Sequence, residues 1–338
     1  MTGTVLVTGG SGYIAGYLIR QLVAEGSTVH ATVRSLAREA EVRRALAVDD
    51  SKLRFFAADL SADTGWSGAA AGCSHVAHVA SPFPPTAPAH DDELIVPARD
   101  GALRVLRAAK AAGVRRFVLT SSTAAIGYGH VGRGSTFTEA DWTNVDGAGL
   151  SAYVKSKTIA ERAARDWVAA EGGGLEFASV NPSLVLGPVL SADMSTSVEA
   201  VKKLLEGSMP GLPNLSFPMV DVRDIADLHV RVLNAPDMAG ERFIASGRTI
   251  DMVEMAAILR ARLGSAARKV PTLRLPDFAV RLVALFDPVV RQVSGELSKP
   301  KVMNAGHALA RLGWRTRPAE ESIIETARSL IDLGIVRI

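Results

Sequence analysis

The stretch VLVTGGSGYIAGYLIRQL, residues 5–22, begins as an apolar strand, passes through a turn rich in glycine and continues with helical spacing. Within it, residues 10–15 read GSGYIA and fit the pattern G-x-G-x-x-G/A of dinucleotide-binding folds. Glycines permit a tight turn and a close approach of backbone to phosphate, and the first amide groups of a helix attract anions. An ordinary strand-to-helix turn is the alternative. Because the pattern directly follows an apolar strand, we expect a diphosphate to bind here.

The composition limits the class of protein. The chain has 338 residues, of which 48% are hydrophobic, so it can bury a large core in one domain or two. It contains no run of about 18 apolar residues, and no basic leader precedes the first strand, so we expect a cytoplasmic protein with no membrane partner. The net charge of +3 is small and the basic residues are scattered, which argues against a nucleic-acid partner.

Cysteine and histidine give no sign of a metal site. Cys73 is the single cysteine, so we expect no internal disulfide and a small buried apolar role for this residue. His75 and His78 lie on a predicted buried strand without acidic or cysteine partners at metal-binding spacing. We therefore predict no metal ion.

Short runs rich in Val, Ile and Phe alternate with amphipathic segments through the first half of the chain. The runs predict strands over residues 4–8, 28–34, 53–59, 75–80, 116–122 and 176–185. Between them, the spacing predicts helices over residues 12–25, 35–47, 93–112 and 151–171. Alternation of this kind favours parallel strands with right-handed crossovers. We predict an α/β fold, a Rossmann-type doubly wound parallel sheet with a smaller C-terminal substrate-binding lobe.

This rhythm ends after Pro188, where residues 188–218 become rich in Ser, Gly, Pro and Met. We assign residues 1–188 to an NADP-binding Rossmann domain and residues 189–338 mainly to a substrate-binding lobe, with segments within about 216–247 returning to the first domain. The extended pieces expected to return to the main sheet are residues 219–224 and 242–245. Helical stretches are predicted in the lobe at residues 251–263, 276–292 and 319–333.

The end of the second predicted strand indicates the type of coenzyme. Residues 31–35 read ATVRS, which places Arg34 where a carboxylate would bind the ribose hydroxyl of NAD. A guanidinium suits a 2′-phosphate instead, so Arg34 favours NADP(H). The alternative is a solvated arginine, with Arg38 or another basic group in this role. Asp59 and Leu60 end the third strand, where an adenine would sit, although Asp59 alternatively caps a turn.

Two further segments carry catalytic residue types. Residues 117–122 read FVLTSS, and residues 153–157 read YVKSK, which places Tyr153 and Lys157 four apart on one helical face. A carbonyl that accepts hydride needs a proton on its oxygen, and tyrosine serves at neutral pH only where a cation stabilises its phenolate. Lys157 supplies that cation, and a serine hydroxyl can hold the developing alkoxide. Each signal is weak alone, but together and in this order they point to a reductase.

These motifs resemble the extended short-chain dehydrogenases/reductases, in particular the dihydroflavonol 4-reductases and NADPH-dependent aldehyde (carbonyl) reductases. The resemblance continues through HVASPF at 78–83, NPSLVLGP at 181–188 and DVRDIADLHV at 221–230. It implies that Ser122 is the catalytic serine, with Ser121 a weaker candidate. It further implies that Tyr153 is the general acid and that Lys157 binds the nicotinamide ribose and lowers the pKa of the tyrosine.

The same resemblance implies the other coenzyme contacts. It places Ala80 and Ser81 beside the ribose, and Pro182 and Val185 beside the nicotinamide. The predicted coenzyme site as a whole consists of Gly9, Gly12, Tyr13, Ile14, Arg34, Asp59, Leu60, Val79, Ala80, Ser81, Tyr153, Lys157, Pro182 and Val185. Sugar-nucleotide epimerases usually carry N-V-x-G-T where residues 98–102 read ARDGA, and the missing asparagine favours the reductase branch.

The reaction expected is reversible reduction of a bulky, partly apolar aldehyde or ketone by NADPH. The predicted partner is this small carbonyl or alcohol substrate, and the protein is a monomer or a homodimer. Segments 82–91, 128–149 and 190–217 are expected to touch the substrate. Their Met and Leu residues form either an apolar pocket or plain core: Met194, Met209, Leu212, Leu215 and Phe217. Two rival functions are a sugar-nucleotide epimerase or dehydratase and a non-catalytic NADP-sensing protein.

Overall fold

The computed structural model describes residues 3–82, 88–130, 134–192, 194–287, 290–291 and 294–337. The strands are β1 (Thr4–Val7), β2 (Thr28–Val33), β3 (Leu53–Ala57), β4 (His75–His78), β5 (Arg116–Thr120), β6 (Thr136–Phe137), β7 (Glu176–Pro182), β8 (Leu184–Leu186), β9 (Ser216–Asp221), β10 (Arg242–Ala245), β11 (Thr249–Asp251) and β12 (Val302–Met303). The helices are α1 (Tyr13–Ala24), α2 (Glu39–Leu46), α3 (Trp66–Ala70), α4 (Asp92–Ala111), α5 (Ala152–Glu171), α6 (Thr196–Glu206), α7 (Val222–Asn234), α8 (Met252–Leu263), α9 (Asp277–Val283), α10 (Gly306–Leu312) and α11 (Ala319–Asp332).

The main sheet has seven strands in the order β10-β7-β5-β4-β1-β2-β3. Every neighbouring pair in this sheet is parallel. The strand order reverses between β1 and β4, which is the switch point where doubly wound sheets bind nucleotides. The predicted Rossmann-type fold is confirmed.

Alternating side chains bury both faces of this sheet. Val5 and Val7 point into the core that includes α1 and α7, whereas Leu6 between them points into the core that includes α4 and α5. All three side chains are at most 1% exposed. A strand buried on both faces reads as a continuous apolar run, which is why residues 5–7 were recognisable as a central strand.

The expectation that residues 219–224 are extended and return to the main sheet is wrong. β9 ends at Asp221, and it pairs with β8 and β11 in a separate three-stranded sheet. The Asp221 carboxylate then accepts the backbone N–H of Arg223 at 2.9 Å and caps α7. Only residues 242–245, as β10, join the main sheet beside β7.

Two other elements differ from expectation. Residues 188–218 contain α6, whose Val198, Val201 and Leu205 follow helical spacing and are buried. The predicted helix over 276–292 is shorter, because α9 ends at Val283, and residues 288, 289, 292 and 293 lie outside the described residues. The apolar segment 190–217 contributes core rather than an open pocket, since Leu212 and Leu215 are buried there and Met194, Met209 and Phe217 pack against the same cluster.

Cys73 behaves as a small apolar side chain. It is buried in the core beside α3, and burial raises its pKa to about 12. Across the described residues no group of three or more His, Cys, Asp or Glu side chains could hold a metal ion. Within the same part of the chain, every helix is too short or too polar to cross a lipid bilayer.

Candidate active site

The carboxyl ends of the parallel strands bring the predicted site residues to one edge of the main sheet. Gly9 follows β1, Ala80 follows β4 and Ser122 follows β5. α5 brings Tyr153 and Lys157 to the same edge, where Ser122 is close enough to lower the pKa of Tyr153 and Lys157 lines a cleft with Ala80. This is the edge at which ligands bind in open parallel sheets.

The glycine turn is built as a cradle between β1 and α1. Gly9 has a φ of 72°, and a Cβ there would lie only 3.0 Å from the Cα of Ala80. The backbone N–H groups of Gly9 and Gly10 donate to the Oγ1 and carbonyl oxygen of Thr32, at 3.1 and 2.7 Å. Gly12 caps α1 without a side-chain hydrogen bond, and the first turn of α1 contains no acidic residue. The first turn of α1 therefore adds no anion of its own to the positive helix end, which fits a diphosphate group.

Thr8 ties the end of β1 to the segment after β4. Its Oγ1 accepts the backbone N–H groups of Val79 and Ala80, both at 3.0 Å, and lies 2.8 Å from Nδ1 of His78. Two donors fill the lone pairs of the hydroxyl oxygen, so we assign the Thr8 hydrogen to His78 Nδ1. Burial, with a smaller effect of Lys157, lowers the pKa of His78 to about 3. His78 is thus a neutral acceptor at neutral pH.

Two arginines follow β2, at the side of the turn where the sequence predicts a 2′-phosphate. Arg34 is exposed, and its charge acts on the Asp59 carboxylate. Arg38 lines the cleft beside Gly12, and its Nη2 lies 2.9 Å from Oε1 of Glu41. Arg38 is therefore near the glycine turn, whereas Arg34 is near Asp59.

Asp59 is engaged in a turn. Its Oδ1 accepts the hydroxyl of Ser61 at 2.6 Å and the backbone N–H of Ser61 at 2.8 Å. These two hydrogen bonds, the hydroxyl first, hold the pKa of Asp59 below its usual range. Asp59 therefore caps a turn, which is the alternative role that the sequence allows for it.

The remaining predicted coenzyme residues are mostly engaged in packing. The Tyr13 hydroxyl donates to the carbonyl oxygen of Gly187 at 2.6 Å, and Ile14 packs against the core. Leu60 lies against Gly101 of α4, where a Cβ would come within 2.9 Å of the Leu60 Cβ. The last three predicted coenzyme residues lie at or after strands: Ser81 is exposed after β4, Pro182 ends β7, and Val185 lies in β8 with 9% exposure.

Ser122 and Tyr153 lie close to each other. The Ser122 Oγ accepts the backbone N–H of Ala124 at 3.1 Å and lies 3.4 Å from the carbonyl oxygen of Pro182. Burial raises the pKa of Tyr153, and the nearby Ser122 opposes that change. The net change is upward, opposite to the lowering of this pKa expected from Lys157, so Tyr153 is a protonated phenol at neutral pH.

Lys157 lines a cleft between α4, α5 and the strand ends. Its neighbours in the cleft include His78, Ser81, Ala98 and Glu161. Burial lowers the pKa of Lys157 to about 8, and the Glu161 carboxylate acts in the opposite direction. Lys157 therefore carries its positive charge at neutral pH and loses it as the pH rises through about 8.

Tyr128 was not singled out in the sequence, although it begins the segment 128–149 expected to touch substrate. Burial raises its pKa to about 12, and the nearby Tyr153 adds to that effect. The Nζ of Lys301, from the C-terminal part of the chain, lies 4.3 Å from the centroid of the Tyr128 ring. The Lys301 cation thus contacts the Tyr128 ring, and Tyr128 lies close to Tyr153. Parts of the three segments expected to touch substrate lie outside the described residues, namely 83–87, 131–133 and 193.

The chain is similar to known proteins in both sequence and fold. The family model described as NAD dependent epimerase/dehydratase family matches residues 5–245. A cinnamoyl-CoA reductase of Medicago truncatula is 35% identical over 96% of this chain and 95% of the relative. A dihydroflavonol 4-reductase of Zea mays is 33% identical over 77% of this chain and 74% of the relative.

Solved structures share the fold over nearly the whole chain. The yeast methylglyoxal/isovaleraldehyde reductase Gre2, complexed with NADPH, has a TM-score of 0.81 and 24% identity, covering 98% of this chain and 100% of that chain. Vestitone reductase from alfalfa has a TM-score of 0.77, also with 24% identity, covering 99% of this chain and 100% of that chain. At this level of identity the similarity establishes the fold.

Proposed function

The chain belongs to the NAD dependent epimerase/dehydratase family, and from that membership and the site geometry we propose that it reduces an aldehyde or ketone to the alcohol with NADPH. The reaction is reversible hydride transfer between the coenzyme and the carbonyl carbon, with Ser122, Tyr153 and Lys157 as the catalytic side chains. The reductases among its relatives support this function over that of an epimerase or a silent binding protein.

The observation that carries the proposal is the proximity of Ser122 to Tyr153, which is close enough for Ser122 to lower the pKa of the Tyr153 phenol. Two neighbouring hydroxyl groups at the carboxyl edge of the sheet offer a carbonyl oxygen two partners at once. Lys157 lies one helical turn from Tyr153 and carries a positive charge at neutral pH. A site with this arrangement suits proton donation to an oxygen that becomes negative during the reaction.

When bound, NADPH supplies the hydride. Tyr153 then gives its phenol proton to the carbonyl oxygen, and its raised pKa keeps that proton in place until it is needed. Ser122 holds the same oxygen while negative charge develops on it. Lys157 stabilises the resulting phenolate and binds the ribose, and in alcohol oxidation the same residues act in reverse.

The proposed coenzyme site consists of the glycine turn between β1 and α1 and of two arginines. Gly9 and Gly12 would hold the diphosphate at the positive end of α1, while Arg34, with Arg38 beside it, would bind the 2′-phosphate of NADP(H). Residues 1–188, joined by β10, are assigned to coenzyme binding. Residues 189–338 are assigned mainly to the substrate.

The substrate class proposed is a bulky, partly apolar carbonyl compound. Relatives whose names include cinnamoyl-CoA and dihydroflavonol act on large molecules, and Tyr128 offers an aromatic surface next to Tyr153. The scarcity of cysteine fits a reducing compartment, so the cytoplasm is the proposed location.

The test is NADPH consumption with a panel of aldehydes and ketones, including aromatic ones, followed by absorbance. We expect steady oxidation of NADPH by wild type and none by Tyr153→Phe. Tyr17→Phe is the matched control, because it removes a tyrosine hydroxyl that donates to Pro188 at 2.8 Å outside the proposed site. Tightly held coenzyme with no net oxidation by wild type would contradict the reductase and support the epimerase.

A further inference from the structure

Glu161 is a buried carboxylate that the proposed reaction does not use. It lies on α5, four residues after Lys157 and eight after Tyr153, so all three share one face of the helix. Its side chain is fully buried, with 0% exposure. A carboxylate in such a place requires compensation by hydrogen bonds or opposite charges.

Both carboxylate oxygens of Glu161 are bonded to the ends of two neighbouring strands. Oε2 accepts the hydroxyl of Ser121 at 2.6 Å and the Nδ2 of Asn181 at 2.8 Å. Oε1 accepts the hydroxyl of Ser179 at 2.8 Å. Ser121 follows β5, whereas Ser179 and Asn181 belong to β7. Glu161 therefore fastens α5 to both strands at the edge where the site lies.

One of these bonds continues to the predicted catalytic serine. The Nδ2 of Asn181 also donates to the carbonyl oxygen of Ser122 at 3.1 Å. Glu161 and Asn181 thus fix the backbone of Ser122 relative to α5, the helix that carries Tyr153. The Ser122 to Tyr153 contact depends on that relative position.

The same carboxylate balances several cations. Arg242 from β10 donates its Nε to Oε1 at 2.8 Å, with 6% exposure of its side chain, and the Nε of Arg165 lies 3.4 Å from Oε1. Lys157 lies one turn away on the same helix, facing the cleft that Glu161 also lines. Arg242 and Arg165 thus pair directly with Glu161, and the charge of the Glu161 carboxylate also raises the pKa of Lys157.

We propose that Glu161 is a positioning residue for the site: its carboxylate sets the place of Ser122 against Tyr153 and keeps Lys157 charged. This inference rests on the proposed function for its purpose, but its electrostatic part concerns Lys157 in the coenzyme-free protein. Glu161 touches neither substrate nor coenzyme in this role and acts through its neighbours.

The groups that face Lys157 allow the sign of this effect to be derived. His78, the last residue of β4, is neutral, and α4 presents the apolar Ala98 and Ala102 to the cleft. On α5, Tyr153 is a neutral phenol and Glu161 is an anion whose charge raises the pKa of Lys157. The nearby Tyr128 is also protonated. Among these described groups Glu161 is the anion, so removing its charge must move the Lys157 titration to lower pH.

Two neutralising variants test the inference because they act in opposite directions. Glu161→Gln removes the anion and should lower the midpoint of the Lys157 titration by about one pH unit or more. Arg165→Gln removes a cation paired with Glu161 and should raise the midpoint. Both variants loosen the same buried cluster, so damage to the fold alone would shift both in the same direction. Glu161→Asp keeps the charge and should restore a midpoint near that of wild type.

Two measurements report the midpoint. The first is the rate of Lys157 acetylation by acetic anhydride against pH in the coenzyme-free protein, followed by mass spectrometry, with circular dichroism to confirm folding. The second is the dissociation constant of NADPH against pH, which should rise once Lys157 loses its proton. Wild type is expected to show a midpoint near the value of about 8. Unchanged or parallel midpoints in Glu161→Gln and Arg165→Gln would overturn the inference. Failure of wild type to bind NADPH would instead refute the proposed function, and acetylation would still decide the role of Glu161.

Discussion

The hydroxyl of Tyr13 donates a 2.6 Å hydrogen bond to the carbonyl oxygen of Gly187, 174 residues later in the chain. Tyr13 is the first residue of α1, directly after the glycine turn, and Gly187 follows β8 where the chain leaves for the C-terminal segments. Thr326 of α11 lies 2.9 Å from the same oxygen. The turn that would bind a diphosphate is therefore joined to the start of the segment expected to touch substrate.

We predict that Tyr13→Phe weakens coenzyme binding as well as stability. The loss of one buried hydrogen bond should cost about 1 kcal/mol in the free energy of unfolding, since Thr326 still serves the Gly187 oxygen. The dissociation constant of NADPH, measured by fluorescence, should rise several-fold because the first turn of α1 is held less firmly. Tyr17→Phe loses an equivalent bond to Pro188 one turn farther from the glycines, and it should lower stability without changing NADPH binding. Equal dissociation constants for the two variants would contradict this role of Tyr13.

Charge reversal tests the assignment of Arg34 to the 2′-phosphate. Arg34→Glu should raise the KM for NADPH at least about tenfold more than the KM for NADH, because only NADPH carries the phosphate. Arg38→Glu tests the second arginine, whose guanidinium is already paired with Glu41. Arg44→Glu is a control of equal charge on the exposed side of α2. Equal KM changes for both coenzymes in Arg34→Glu would remove Arg34 from this role.

Ser122 and Tyr153 should act as a unit. Tyr153→Phe is expected to lower kcat by about 10²–10⁴-fold, because the proton donor is lost. Ser122→Ala removes a partner of the reacting oxygen and should cost about 10²–10³-fold. Since the two neighbouring side chains would serve the same carbonyl oxygen, the double variant should be little slower than Tyr153→Phe alone. Steady-state kinetics checks this, and strictly additive losses would show that the two side chains act independently.

Local patterns were sufficient to predict the elements that carry the site. Two features depend only on residues that are close in sequence: the strand, turn and helix of residues 5–22, and the spacing of Tyr153 and Lys157. In the structure, residues 5–22 contain a strand and a helix as predicted, and Tyr153 and Lys157 lie on one helix as predicted. The alternation of apolar runs and amphipathic segments likewise indicated the parallel sheet, because parallel strands need helical crossovers. The roles of the residues at these positions stay predictions.

Contacts between distant parts of the chain were not predictable in the same way. Glu161 could be placed on the face of Lys157 from its spacing, but its bonds to Ser121, Asn181 and Arg242 depend on which strands become neighbours. Residues 219–224 include both the end of β9 and the start of α7. The Asp221 side chain caps α7 and so sets the boundary between these two elements. Propensity alone gives no sign of the separate sheet that β9 joins.

The buried histidines predict a loss of stability in mild acid. Burial lowers the pKa values of His75 and His229 to about 4 and that of His78 to about 3, against 6.5 as the ordinary value. The unfolded chain therefore binds up to about three more protons than the folded protein between these pH values, and the free energy of unfolding falls by up to about 4 kcal/mol per pH unit there. The stability is fully present above pH 6.5 and is lost as the pH falls towards 4.

Substitution of one histidine isolates its share of this effect. Nδ1 of His229 lies 2.8 Å from the carbonyl oxygen of Ile225 and Nε2 lies 2.8 Å from the Thr120 hydroxyl, so the neutral ring donates to the first and accepts from the second. His229→Gln should reduce the number of protons taken up on unfolding by about one, whatever its effect on stability itself. Denaturant unfolding at a series of pH values between 4 and 7 gives the proton number from the slope, and an equal slope for wild type and His229→Gln would show that His229 does not titrate as proposed.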